Sequence, residues 1–518
     1  MNAEPVWQAI RHPRFPKLAR DASYDVVVVG GGITGVTVAY LLKKAGKKVC
    51  LVERRRLGFV DTGLTTAHLT YVPDLRISKL VSAFGERAAS LVLKAGAVAV
   101  DTIESIVNDE DIDCDFKRVP GFLTAPFGEG KDSGLKKDAR AANKLGFPAR
   151  YLEQVPYFDI PGVHFPNQAK FHPLKYIFAL AKRIDGGGSA IFERSEVSEV
   201  RDKPQRVVAN DFQINTRYLV IATHKPLMGK TGIISATLFQ TKLYPYSSYV
   251  IGASVPKNLL PEACFWDTSD PYYYLRVESG KAHDYVIFGG KDHKTGQAAK
   301  TAEVFRDLRK TLLRIIPRAK PDRQWSGQVI VTNDGLPYIG ETAQRQFVAT
   351  GFGGNGMTFG TVAALMARDG AMGKENPWKE LFSVDRKKIR GGTWNYLLEN
   401  VDFPYYFLKD RLTQSEADSV SQVQRGEGKI VNLEGQRVAC ARDADGKLHT
   451  VSAYCTHLGC IVHWNSAENT WDCPCHGSCF QVDGQVLGGP AESPLELIEA
   501  SGNGKPKRVT RKPKSHQS

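Results

Sequence analysis

YDVVVVGGGITGVTVAYLLKKAGKKVCLVERR, residues 24–55, decides the fold of the first part of the chain. Four valines, Val26 to Val29, read as a strand buried on both faces. They run directly into GGGITG, in which Gly30, Gly32 and Gly35 keep the G-x-G-x-x-G spacing. In such a turn the first glycine permits the tight bend and the second lets backbone approach a pyrophosphate. The third lets the helix pack closely on the sheet. A helix over 36–45 should stop at Gly46, with its N-terminal amides turned to the phosphates. A second strand, KVCLVE, ends at Glu53, whose carboxylate suits ribose hydroxyls and disfavours a 2′-phosphate. A lone glycine pattern is weak. Strand, glycines, helix, strand and acid in one βαβ unit specify a dinucleotide site.

A second glycine-rich block, ATGFGGNGMTFGTVAALMARD, spans 349–369 and leaves a backbone bare enough for close approach to a ligand. A helix of about 361–368 should follow, with its N-terminus placed to stabilise negative charge. RYLVIATHKP (217–226) reads as a strand leading to a turn, and DTGLTTAHLTY (61–71) follows the second strand after a short loop. With VVVVGGGITGVTVAYLLKKAG, TNDGLPYIG (332–340) and the 349–369 block, the chain resembles the glycine oxidase / D-amino-acid oxidase (DAO) family of FAD-dependent oxidoreductases. The resemblance runs over roughly residues 20–370, with a divergent middle. It implies FAD, and it implies that Thr65, Thr66 and His68 run beside the flavin. Ala222 and Thr223 would lie near the adenine-side backbone. Gly353, Gly354, Asn355, Gly356, Met357 and Thr358 would fall in the flavin-contacting pattern.

Specificity should reside in the middle. Residues 91–160 read as helix followed by irregular chain, and 231–320 as strands: LYPYSSYVIGA, YYYLRVES and DYVIFGGKDH. The tyrosines of YYYLRVES suit either an aromatic pocket or an ordinary sheet and core. FGGKDHKTG (288–296) reads as a loop. His68, Asp292 and His293 are polar candidates for catalysis, and none is fixed as a base. No Ser/His/Asp set or HExxH occurs at diagnostic spacing.

Further on, KIVNLEGQRVACARDADGKLHTVSAYC gives short strands separated by EG and DADGK turns. Two loops follow, CTHLGC at 455–460 and CPCHGS at 473–478. Four cysteines could bind zinc. Alternatively Cys455-x-His457 and Cys473-x-x-His476 each supply two ligands to a two-iron cluster, which leaves Cys460 and Cys475, one in each loop. Both loops, with the GGPA turn at 488–491, closely resemble a disulfide-bearing Rieske [2Fe–2S] domain. The resemblance implies Cys455 and Cys473 on one iron, His457 and His476 on the other, and a Cys460–Cys475 bridge. Histidine ligation raises such clusters to about −150 to +300 mV. Ser478 matches a tuning hydroxyl. Phe480 stands where high-potential members have a tyrosine donor, so a lower potential is expected.

These readings give an α/β plan: a Rossmann-like FAD-binding domain with an inserted β-rich substrate domain, plus a small all-β C-terminal Rieske domain. The oxidoreductase part is placed at 20–400, with cofactor segments near 20–90, 160–230 and 320–370 and substrate segments near 91–160 and 231–320. A connector at 401–425, the Rieske domain at 426–500 and a basic disordered tail at 501–518 complete it. The tail carries six Lys/Arg between 505 and 514 and contributes to a net charge of +14. The bland reading, a basic protein with a basic tail, is preferred to nucleic-acid binding. No run of 18 apolar residues exists, and the first twenty residues lack an apolar signal core, so a cytoplasmic chain without a membrane span is expected. Nine cysteines in 518 residues are no disulfide scaffold, but five of them lie between 455 and 479.

Two centres on one chain suggest a route for electrons. The preferred expectation is oxidation of an amine or amino-acid-like small molecule by hydride transfer to FAD. Electrons would then pass singly through the cluster to a redox protein or quinone-like acceptor. The rivals are a reductase or monooxygenase-like flavoenzyme fed by a donor through the cluster, and a non-catalytic redox sensor or electron-transfer protein.

Overall fold

The computed structural model describes residues 2–128, 130, 134–202, 205–224, 242–298, 300–386, 405–406, 409–411, 413, 415–491, 493–499 and 507–509. The valine run forms the inner half of strand Ala22–Val29, with all four valines buried. This strand lies in parallel between Phe212–Ile221 and Val49–Val52. Ala190–Phe192 extends the sheet on one side, and Gln346–Thr350 followed by antiparallel Tyr338–Ala343 on the other. A strand covered on both faces must be apolar throughout, which is why the period-2 alternation of a half-buried strand is missing here.

The first helix runs Ile33–Lys44, three residues earlier than the sequence suggests, because Gly32 serves as its N-cap. It stops as expected at Gly46, which sits at φ +83 and lets Lys47 N–H reach the Leu42 carbonyl at 3.1 Å. The late helix is also longer than expected, Gly356–Ala371. Both helices are buried along most of their length. They cross closely, since a Cβ on Gly360 would come within 2.7 Å of Thr34 Oγ1. Each buried Val, Leu or Ile there is worth about 1.5–3 kcal/mol.

The second sheet runs in the order Lys320–Thr332, Leu243–Pro256, His283–Lys294, Tyr274–Glu278, Cys264–Asp267, Lys117–Thr124, Gly162–Lys170, His68–Leu69, with Arg150–Leu152 paired to Gly162–Lys170. Two expectations are corrected here. The chain after the long helix Ile77–Asp109 is not irregular: it contributes strands Lys117–Thr124 and Arg150–Leu152 and helix Leu135–Lys144. FGGKDHKTG is not a loop either, because Phe288 to Lys294 belong to strand His283–Lys294. Its glycine is there for a ring: Gly289 faces Tyr274, and a Cβ on it would fall 2.2 Å from that ring.

Towards the C-terminus two small sheets form. One is ordered Gly428–Leu433, Gln436–Arg442, Leu448–Ser452, Leu497–Glu499, Lys507–Val509. The other is ordered His463–Asn465, Thr470–Asp472, Cys479–Gln481, Val486–Gly488. The tail expectation changes in one place, since Lys507–Val509 pairs antiparallel with Leu497–Glu499. The strand edge offers backbone hydrogen bonds that composition does not register. Residues 501–506 and 510–518 lie outside the described residues.

The chain forms two compact units. One comprises Met1–Leu243, Ser248–Asp292 and Asp307–Thr393. The other comprises Trp394–Ser518 with Tyr244–Ser247 and His293–Arg306. Among the described residues, no helix is long and apolar enough to cross a membrane.

Candidate functional site

The first unit carries a phosphate-type cradle at the end of strand Ala22–Val29. Gly30 sits at φ +111, and a Cβ there would fall 2.4 Å from the Ala222 carbonyl oxygen. A Cβ on Gly35 would fall 1.9 Å from the Gly30 carbonyl oxygen. Both obstacles are backbone and cannot swing aside, so only glycine fits. Ala222 N–H in turn donates to the Val29 carbonyl at 2.8 Å, which ties the strand Phe212–Ile221 to the turn. Glu53 accepts from Gly31 N–H at 2.7 Å through Oε2 and from Arg55 N–H at 2.7 Å through Oε1. A carboxylate has about four lone-pair sites, so acceptor capacity remains for a ribose. Ile33 N–H donates to Thr62 Oγ1 at 3.0 Å. Bare backbone, a helix N-terminus and a carboxylate one strand over are the donor and acceptor set that an adenine dinucleotide requires.

The same unit brings together a cluster of polar side chains distant in sequence. Asp74 anchors the second glycine-rich block: Gly354 N–H and Asn355 Nδ2 each donate to it at 2.7 Å. Tyr272 OH approaches it at 3.5 Å. Thr358 Oγ1 donates to the Thr70 carbonyl at 2.9 Å, so the start of helix Gly356–Ala371 is held from the same side. Asp74 keeps an exposed edge although protein atoms surround the rest of it. Burial pushes its carboxyl up to about 6.

In the same cluster Ser248 Oγ lies 2.6 Å from Asp292 Oδ1 and 2.7 Å from Tyr274 OH. Burial, and then the charge of Asp74, push Asp292 up to about 7. Tyr272 and Tyr274 approach with ring centroids 5.8 Å apart, while Tyr273 turns away and stacks on Phe288 at 5.5 Å. Tyr272 and Tyr274 thus join the polar cluster, and Tyr273 packs against its own sheet.

His68 is held rather than poised. Thr66 Oγ1 lies 3.1 Å from its Nδ1, the Leu275 carbonyl 3.3 Å from its Nε2, and burial lowers it to about 3. Thr65 Oγ1 accepts from Ala67 N–H at 3.0 Å. Four of the five N–H donors of Arg276 are taken by the carbonyls of Thr66, Ala67 and Phe171 and by Glu278. The structure places Asp292 in the first compact unit and His293 in the second. Sequence reading missed Asp74, Ser248 and the split among the tyrosines, since neither Asp74 nor Ser248 carries a spacing rule.

The two cysteine loops of the second unit share one backbone. Cys455 N–H donates to the Cys460 carbonyl at 2.8 Å and Gly459 N–H to the Cys455 carbonyl at 2.9 Å. Cys473 N–H donates to the Ser478 carbonyl at 2.7 Å and Gly477 N–H to the Cys473 carbonyl at 2.8 Å. Each loop therefore opens on a buried cysteine and turns at a left-handed glycine. Histidine follows the cysteine by two positions in the first loop and by three in the second. Cys460 and Cys475 form a disulfide. The Cys473 sulfur lies within 4.8 Å of both bridge sulfurs. Bridge sulfurs are spent as thiolate donors, so Cys473 pairs with Cys455.

A hydrogen bond from Cys473 pulls Cys455 down to about 7, helped by the backbone N–H groups of His457 and Leu458 and the Ser478 hydroxyl. The same hydrogen bond, with burial, shifts Cys473 upward. The His457 and His476 rings sit 4.8 Å apart, edge to face, with both Nδ1 atoms buried. Two sulfurs and two imidazoles held as facing pairs fit a His₂Cys₂ two-iron cluster. Ser478 also accepts from Ala491 N–H at 3.1 Å, and Phe480 is buried beside Trp471.

Residues from the middle of the sequence complete this unit. Gln297 Nε2 donates to the Pro474 carbonyl at 3.1 Å, and His463 Nδ1 lies 3.0 Å from the Gly296 carbonyl. A Cβ on Gly296 would fall 2.8 Å from the Cys473 carbonyl carbon, and one on Gly477 2.2 Å from Pro245 Cγ.

Comparison with known families matches residues 25–369 to the FAD dependent oxidoreductase (DAO) family and residues 414–499 to the Rieske [2Fe-2S] domain. A protein of Bacillus subtilis (strain 168), YhfW, described as a Rieske 2Fe-2S iron-sulfur protein, is 34% identical over 94% of this chain and 96% of its own length. The gamma-glutamylputrescine oxidoreductase of Escherichia coli (strain K12) is 23% identical over 77% of this chain and 94% of its own. Among solved structures, glycine oxidase from Geobacillus kaustophilus superposes with a TM-score of 0.60 at 20% identity. It covers 71% of this chain and all of that one, a likeness of fold.

Proposed function

From the premise that this chain belongs to the FAD dependent oxidoreductase (DAO) family and carries a Rieske [2Fe-2S] domain, we propose that it oxidises a small amine and passes the electrons through the cluster to an external acceptor. The observation that carries the amine assignment is the polar cluster: it holds two carboxyls and two tyrosine hydroxyls, while Arg276 is spent on carbonyls and Glu278. Such a set of groups favours an ammonium group over a carboxylate. The name of the Escherichia coli relative, an oxidoreductase acting on a putrescine derivative, points the same way.

Bound FAD supplies a two-electron acceptor that can release electrons singly, and a bound cluster supplies a one-electron carrier. The chain's own residues do the rest. Gly30, Gly32 and Gly35 admit the diphosphate, Glu53 takes the ribose, and Ala222 and Thr223 border the adenine side. Thr65, Thr66 and the 353–358 segment border the flavin, and Asp74 fixes that segment through Gly354 and Asn355. Cys455 and Cys473 hold one iron, His457 and His476 the other. The Cys460–Cys475 bridge clips the two loops together.

The test is anaerobic addition of candidate amines to the purified holoprotein, following flavin bleaching and the EPR signal of the reduced cluster. Reduction of both centres by an amine is expected. If no amine reduces either centre but a ferredoxin-type donor reduces both, electrons run inward and the proposal fails.

A further inference from the structure

Resting on the amine reading, we propose that Tyr274, Ser248 and Asp292 form a proton relay that strips the N–H proton from a bound ammonium ion before its carbon is oxidised. The need is chemical. An alkylammonium nitrogen has no lone pair to stabilise the cation left when the neighbouring carbon loses hydride. With a pKa near that of lysine, only about one such amine in 10³ is neutral at pH 7. A built-in acceptor lets the abundant ammonium form bind and lose its proton in place, instead of waiting for the rare free amine.

The order of the relay follows from counting hydrogens. Ser248 Oγ is within hydrogen-bond reach of both Asp292 Oδ1, at 2.6 Å, and Tyr274 OH, at 2.7 Å. A serine hydroxyl has one hydrogen to give, and an ionised carboxylate has none. Ser248 therefore donates to Asp292, and Tyr274 donates to Ser248. When an ammonium N–H breaks, its proton forms an O–H bond on Tyr274. The proton of Tyr274 passes to Ser248, and that of Ser248 to Asp292. One ammonium and one carboxylate become one amine and one carboxylic acid, with Tyr274 and Ser248 unchanged in charge. Once the product has left, the same three groups, with every bond reversed, release the proton from Tyr274 to water.

The three residues sit on neighbouring strands, Leu243–Pro256, His283–Lys294 and Tyr274–Glu278, so the sheet itself fixes the spacing. The second carboxyl has a different task. Asp74 is occupied by Gly354 and Asn355 and acts on Asp292 through its charge. The other groups at hand do not compete. Tyr272 is pushed upward by burial and the two carboxyls, and His68, edge-on to Tyr274 at 5.9 Å, is held neutral. Arg276 is engaged with Glu278 and backbone. Asp292, pushed up to about 7, sits where an acceptor can both take and release a proton at neutral pH.

The experiment follows flavin bleaching by an alkylamine in anaerobic stopped flow from pH 6 to 10. FAD content is read from the flavin absorbance, and the protonated carboxyl band is titrated by infrared. The wild type should show an acid limb near 7. Asp292→Asn should lose the infrared band titrating there. At pH 7.5 it should bleach ~10²- to 10³-fold more slowly, recovering towards pH 10 as the free amine takes over. Ser248→Ala keeps the carboxyl and its band but breaks the middle link, and should show the same slow, alkali-rescued bleaching. If both variants keep the wild-type rate and acid limb, the relay is overturned while the amine reading stands. If the wild type is bleached by no amine, the amine reading falls and takes the relay with it.

Discussion

The cradle at Gly30–Gly35 and the loops at Cys455–Cys460 and Cys473–Ser478 are built on opposite principles. The cradle works by what is missing: a Cβ on Gly35 would meet backbone at 1.9 Å, so function there is the space left open. The cluster loops work by what is present, since the proposed binding atoms are sulfurs and imidazoles. A site made of space tolerates changes of side-chain chemistry in its surroundings but no added atom. A site made of donor atoms tolerates added bulk nearby but no change of element.

The sharpest way to break that contrast is to change one element. Cys473→Ser exchanges sulfur for oxygen in nearly the same volume. It should abolish iron retention, read as iron per protein and as loss of the reduced-cluster EPR signal, while flavin absorbance stays. Gly35→Val is the counterpart and should leave a protein that purifies without FAD but keeps iron. Loss of both cofactors from either variant would show that the two sites are not independent.

Smaller effects sharpen the picture. Cys460→Ser opens a bridge of sequence separation 15, worth about 3 kcal/mol on the chain-entropy account. Iron should remain after purification but leave faster on heating, followed by bleaching of the cluster absorbance. Asp292→Asn addresses stability. Because burial and Asp74 raise Asp292 to about 7, the fold prefers its protonated form. That contribution is complete below about pH 4 and is lost as pH rises through 7. The variant has nothing to lose, so its Tm relative to wild type should climb between pH 4 and 7 and level off above. A few degrees is expected, equivalent to about 1 kcal/mol, since the carboxyl's open side screens it. The smallest effect is Phe480→Tyr, which should raise the midpoint potential in protein-film voltammetry without altering iron content.

The same contrast explains what could be read from the sequence. Cysteines and histidines at fixed offsets in two short loops announce their chemistry, and glycines between a valine strand and a helix announce theirs. Asp74, Ser248, Tyr274 and Asp292 announce nothing, because pairing of distant strands alone brings them within hydrogen-bond reach. Gly289 even misleads. A glycine pair that reads as a turn lies in a strand, where it makes room for a tyrosine ring from the neighbouring strand.

The contacts of Gly296 and Gln297 with Cys473 and Pro474, and of Pro245 with Gly477, bear on how the gene can be cut. A piece beginning at residue 414 contains all four proposed iron donors yet lacks the saddle on which the second loop rests. Expressed by itself it would present that loop to water, and its cluster would be more open to oxidants and chelators than in the full chain. The fusion has become an interdependence: a module that is portable on paper has taken part of its wall from its host.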